Sequence, residues 1–127
     1  IQPHPWRSLK TKGSQRQVPL VGASLWAAQR IKQNASSYFA FDRYTDNQQC
    51  RANSASNALN KWIQTHFRED IVIHGFRHAI RDRLRAVKCP SEMIDQIGGW
   101  SSGKIGESYG TGYVLRDLII PLVKITH

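Results

Sequence analysis

The sequence predicts an α+β domain dominated by helix, with a small β-hairpin near its start. Three observations carry that expectation. Apolar residues recur at three- and four-residue steps through several separate stretches, which is the helical period. Near the start, Arg7–Lys10 and Arg16–Leu20 instead flank a polar turn containing Gly13, a hairpin pattern with a longer loop. The chain has 127 residues, 40% hydrophobic and 21% charged, which fits one globular domain rather than a disordered segment.

The elements follow in order. After the hairpin, Leu25, Trp26, Ala28 and Ile31 place a helix over Ala23–Lys32. The stretch NASSYFAFDRYTDNQQC has no clear period and reads as a loop with a short buried part around Tyr38–Phe41. Ala55, Leu59, Trp62 and Ile63 form the stripe of a second helix, Ala52–Phe67, with Ser54 or Ser56 available as a cap. Ile73, Phe76, Ile80, Leu84 and Val87 step by 3, 4, 4 and 3, the core face of a helix over His74–Val87. Its other faces carry Arg77, His78, Arg81, Arg83 and Arg85. Cys89 and Pro90 break it, and Ser91 can cap a following helix in which Met93, Ile94 and Ile97 face inward before Gly98 and Gly99 end it. The tail Tyr113–Ile125 is apolar and predicted helical up to Pro121.

Composition excludes several classes. No apolar run approaches the roughly 20 residues of a membrane span, and the start, IQPHPWR, lacks the apolar stretch of a signal peptide. The expectation is therefore a soluble chain with no membrane partner. Cys50 and Cys89 stand alone, which provides neither a disulfide framework nor a zinc knuckle. Eighteen Lys and Arg against nine Asp and Glu leave a net charge of +9, which on charge alone points to a polyanion, either nucleic acid or an anionic membrane surface.

Two motifs can carry chemistry. In HGFRH, His74 and Arg77 stand three apart at a predicted helix start, so both reach one face. Free N–H groups and the positive dipole end lie beside them, and the Arg fork matches two phosphate oxygens. In IGGW, two glycines set a tight turn before Trp100, whose indole N–H is a single donor. Tyr109 follows nine residues later between glycines. A phenol serves as a nucleophile where nearby cations favour its ionised form.

Jointly the basic hairpin LKTKGSQRQVPL, then HGFRH, then PSEMIDQIGGW, then a Tyr nine residues on resemble the catalytic domain of the tyrosine recombinases, most closely the phage-type integrases. The resemblance runs from about Arg7 to Tyr113, with Trp standing where the family more often has His. It implies cleavage and rejoining of DNA through a 3′-phosphotyrosine, without metal, ATP or other cofactor. Residue by residue, it makes Tyr109 the nucleophile, with Tyr113 the rival at a longer spacing. It gives Arg77 the nonbridging phosphate oxygens, His74 an acid/base and phosphate contact, and Trp100 a hydrogen bond to the phosphate. Lys10 matches the hairpin lysine that protonates the leaving 5′-oxygen, and Lys12 is its rival. Lys12, Arg16, Arg81 and Lys104 are expected as general DNA contacts.

One departure matters. The family carries another catalytic Arg, followed by Glu or Asp, upstream of the hairpin, and Arg7 does not sit in that context. Residues 1–127 therefore read as a catalytic domain lacking its first Arg segment and the family's separate core-binding domain, and poorly active alone. The missing initiator Met agrees with a C-terminal piece of a longer protein. The implied partners are double-stranded DNA at attachment-type sites and further protomers on that DNA, which the apolar tail could contact. The implied setting is the cytoplasm and nucleoid of a bacterial host, with the protein encoded by a phage or mobile element. The competing reading is a non-catalytic, helix-turn-helix-like DNA-binding module over His74–Ile97. A type IB topoisomerase shares the tyrosine chemistry but fits the short chain and hairpin less well.

Overall fold

Five helices form in the computed structural model, which describes residues 1–5, 7–10, 14–100 and 112–126. They are α1 (Gly22–Gln33), α2 (Ala52–His66), α3 (Gly75–Ala86), α4 (Ser91–Gly98) and α5 (Leu115–Lys124). Each overlaps a stretch where the apolar period places a helix, though α5 runs past its expected end. Among the described residues none is long and apolar enough to cross a membrane.

The core sits where α3, α4 and α5 meet. Leu84 from α3, Met93, Ile94 and Ile97 from α4, and Leu118 and Leu122 from α5 are buried together. Each such side chain contributes about 1.5–3 kcal/mol of burial. Val18, Val21, Ile80, Cys89, Trp100, Tyr113 and Ile125 pack around them. Burial pushes the Cys89 thiol above its usual range.

The α3–α4 turn is closed by Lys88 at φ 57, a left-handed position that glycine more often fills. There the Cys89 N–H donates to the Leu84 carbonyl at 3.0 Å. Ser91 is the first residue of α4; Pro90 takes the capping position and makes no side-chain cap bond. Ser54 and Ser56 likewise fall inside α2, whose cap residue is Arg51.

The predicted hairpin does not form: among the described residues there is no sheet, only isolated bridges. The backbone bonds show why. Arg7 exchanges both of its bonds with His4, each at 2.9 Å, across a turn at Pro5, and the Arg16 N–H goes to the Ile1 carbonyl. Arg7 is thus committed to a local turn before it can pair with Arg16–Leu20. A lone two-stranded ribbon has little stability of its own, and Val18 and Val21 instead pack on the helical core.

The tail also differs. α5 continues through Pro121 to Lys124. Proline there forfeits one intrahelical bond, but Leu118, Pro121 and Leu122 are all buried, and that packing holds the helix. Tyr38 and Phe41, expected to be buried, are exposed. Their loop is organised instead by Asp46, whose carboxylate accepts from the Gln48 and Gln49 N–H groups at 2.8 and 2.9 Å. Those bonds hold the Asp46 carboxyl below its ordinary range.

α1 and α2 are peripheral. No residue of α1 is buried, and only Ile63 of α2 is. Leu25 and Trp26 stay exposed on α1. Leu59, Trp62, Ile63, Phe67, Ile71, Ile73 and Phe76 line an open apolar groove of about 420 Å³.

This division predicts unequal mutational costs. Leu118→Ala, at 0% exposure, should lower stability in urea unfolding by about 2–5 kcal/mol. Trp26→Ala, at 61% exposure, should change it by less than about 1 kcal/mol.

Candidate functional site

Trp100 is set by the way α4 ends. Gly99 lies at φ 64, ψ 37, in the left-handed region, which a residue without a Cβ enters freely. The Trp100 N–H then donates back to the Asp95 carbonyl at 3.0 Å, a Schellman closure. The turn folds the indole back on the helix it follows. A Cβ built on Gly98 would fall inside the Trp100 ring, so the ring occupies the space a side chain there would need.

Onto this indole α3 lays two guanidiniums. Arg77 Cζ stands 4.5 Å from the ring centroid and Arg81 Cζ 5.1 Å. The two are one helical turn apart and share a face. A cation over an aromatic ring contributes about 0.5–1 kcal/mol when exposed and more when desolvated, and both arginines are half-buried. Arg81 also faces Asp95, Nη2 to Oδ1 at 3.8 Å. Its Nε is buried and has no hydrogen-bond partner.

Arg16 brings a third guanidinium. Its Nε donates to the Ile97 carbonyl at 2.9 Å and its Nη1 to the Ser14 carbonyl at 3.0 Å. A Cβ on Gly99 would collide with this same guanidinium. Burial first, and then the positive charge of Arg77, push Arg16 below the ordinary arginine range. The site is thus an indole and three cations drawn from the N-terminal segment, α3 and the end of α4.

The remaining predicted residues are placed as follows. His74 is the cap residue of α3, is exposed, and makes no side-chain cap bond. Its ring meets His78 edge-on at 5.4 Å. The start of α3 is pinned to α2 by Asn60, whose Oδ1 accepts from the Ile73 N–H at 2.7 Å. Lys10 is exposed. Lys12, Lys104 and Tyr109 lie outside the described residues. Tyr113 is half-buried, with its hydroxyl 3.5 Å from Glu92 Oε2. Among the described residues no group of three or more His, Cys, Asp or Glu could hold a metal ion.

Sequence reasoning missed three supporting residues. Asn60 fixes where α3 begins, and Asp95 accepts the Trp100 turn while facing Arg81. Gln96 pairs its amide with the Tyr113 backbone, Nε2 to O at 2.7 Å and N to Oε1 at 2.8 Å. Gly112, at φ 69, would put a Cβ 2.9 Å from Gln96 Oε1. The sequence signals for the Gln96–Tyr113 pairing are a polar residue beside the apolar Ile97 of α4 and a glycine just before Tyr113.

Compared with protein-family models, with curated proteins and with solved structures, the chain finds no match in any of the three.

The two glycine environments give a paired prediction. Gly98→Ala should displace the indole from Arg77 and Arg81 and cost about 1–3 kcal/mol by overpacking, seen in urea unfolding and in a shifted Trp100 indole N–H resonance. At Gly75 an added Cβ meets nothing within 4 Å. Gly75→Ala should leave that resonance in place and stabilise by up to about 1 kcal/mol.

Proposed function

We propose that this chain is the catalytic part of a tyrosine site-specific recombinase that breaks and rejoins DNA through a 3′-phosphotyrosine. One observation carries the reading. Arg77 of the H-x-x-R motif and Trp100 of the G-G-W motif, separate in sequence, meet at 4.5 Å in a half-buried cluster with two further arginines. The net charge of +9 suits a DNA partner.

In this reading Arg77 neutralises the nonbridging oxygens of one phosphodiester, and Trp100 holds that guanidinium in place. The Tyr109 oxygen attacks phosphorus, forming the phosphotyrosine bond as the bond to the 5′-oxygen breaks. The tyrosine proton passes to a base, for which His74 is the candidate. The leaving 5′-oxygen takes a proton from Lys10. The bond energy is retained, so rejoining reverses the same step with no nucleotide cofactor. Further protomers on the same DNA, attachment-type target sites and a phage or mobile-element origin belong to this proposal.

The helix-turn-helix alternative fares worse on one point. In it α4 would read the major groove, yet α4 carries Glu92 and Asp95 and neither Lys nor Arg, and Met93, Ile94, Ile97 and Gly98 are buried. A recognition helix needs exposed side chains that can approach DNA.

The test is covalent capture on nicked duplexes of randomised sequence under single-turnover conditions with the protein in excess. A slow adduct is expected, absent in Tyr109→Phe. In Arg77→Ala it should fall by about 10²–10³, the loss typical of one donor to transition-state charge. Arg77→Ala should lower the salt slope of duplex binding by only about 1. An adduct that survives Tyr109→Phe would move the nucleophile to Tyr113. Steep salt-dependent binding with no adduct would favour a binding module.

A further inference from the structure

We propose that Arg16 is a positioning residue of the phosphate site: it braces the Gly99–Trp100 turn from beneath, so that the indole holds Arg77 and Arg81 ready for a phosphate group. This rests on the reading of Arg77 and Trp100 as a phosphate site.

The geometry is specific to arginine. One planar guanidinium bridges two backbone segments far apart in the chain, through Nε to the Ile97 carbonyl at 2.9 Å and Nη1 to the Ser14 carbonyl at 3.0 Å. Ile97 is in the last turn of α4, where carbonyls lack helical partners, so the cation sits at the negative end of the helix dipole. The same group lies close against Gly99, the residue that turns the chain into Trp100. A lysine ammonium has the charge but not the fixed fork. It could satisfy one carbonyl and leave the turn unbraced.

The location also explains why three cations are tolerated together. Arg16 already feels Arg77, whose charge adds to burial in lowering its proton affinity. Among the described residues the anion facing the group is Asp95, 3.8 Å from Arg81. Arg16 is countered by carbonyl oxygens, Arg81 by Asp95, and both Arg77 and Arg81 by the indole face. A phosphate monoanion or diester would supply the negative charge still lacking. Arg16 would act on it through Trp100 and Arg77, with its Nε–H and one Nη1–H engaged by backbone carbonyls.

The experiment is a titration with inorganic phosphate followed by NMR of the arginine Nε–H and tryptophan indole N–H signals. It uses the chain as it stands, at a temperature where circular dichroism shows each variant folded. In the unaltered protein phosphate should shift the Arg77 and Trp100 signals. Arg16→Lys should shift the Trp100 signal before any phosphate is added and weaken phosphate binding by about tenfold. An Arg16→Lys protein with unchanged Trp100 signal and phosphate affinity overturns the positioning role and leaves the site reading intact. Absence of any phosphate response at Arg77 and Trp100 in the unaltered protein overturns the site reading itself. Should Arg16→Lys fail to fold, hydrogen exchange in the unaltered protein decides. Exchange at Arg16 Nε–H should slow severalfold when phosphate is bound, and an unchanged rate rejects the proposal.

Discussion

The Trp100 ring rests where a side chain on Gly98 would be, and much of the site depends on that contact. With any Cβ at Gly98 the indole must move. Once it moves, Arg77 and Arg81 lose the surface that holds them at 4.5 and 5.1 Å. The order Gly98, Gly99, Trp100 is therefore a division of labour. The first glycine makes room for the ring, the second reverses the chain at φ 64, and the third residue fills the space just created. Asp95 then serves the same turn twice. Its carbonyl accepts the Trp100 N–H, and its carboxylate faces Arg81.

The electrostatics follow from that packing. Long basic side chains ordinarily extend into water, where their charges are screened. Here two arginines on α3 turn inward because an aromatic face and one carboxylate give them somewhere to go. Desolvated cations held near one another cost stability unless an anion joins them. In the proposed reading an oxyanion joining the cluster would offset that cost.

Much of this was legible in the sequence, and the exceptions have definite causes. The helices of α3, α4 and α5 could be placed because Leu84, Met93, Ile94, Ile97, Leu118 and Leu122 are both periodic and buried. The stripes of α1 and α2 are periodic too, yet Leu25, Trp26, Leu59 and Trp62 remain exposed. Period reveals a helix, and says nothing of whether the same chain covers its face. The hairpin failed because turn signals count only local preference, and Arg7 had a closer partner in His4. Pro121 reads as a stop in the sequence because its lost bond is a fixed cost, whereas the burial that outweighs it depends on α3 and α4. Motif spacing marks Arg77 and Trp100 as candidates but carries no sign that they touch. In the sequence Arg16 reads as a general DNA contact in a basic stretch. Its role depends on a carbonyl at Ile97, and a backbone atom leaves no mark on side-chain pattern.

The position of the site within the fold has its own consequence. The elements that build it, α3 and α4, share the buried core with α5, while α1 and α2 contribute one buried side chain between them. Rigidity falls off with distance from a packed core, because local opening is easiest where few apolar contacts must break. Arg77 and Trp100 sit on the well-packed elements, so their separation can be held closely, as the proposed phosphate contact would require. His74 lies at the boundary. Its place depends on Asn60 of the loosely held α2 bonding the Ile73 N–H, and the ring itself is exposed. The cation–indole part of the site is thus preorganised by the core, whereas His74 is only as well positioned as the contact between α2 and the start of α3 allows.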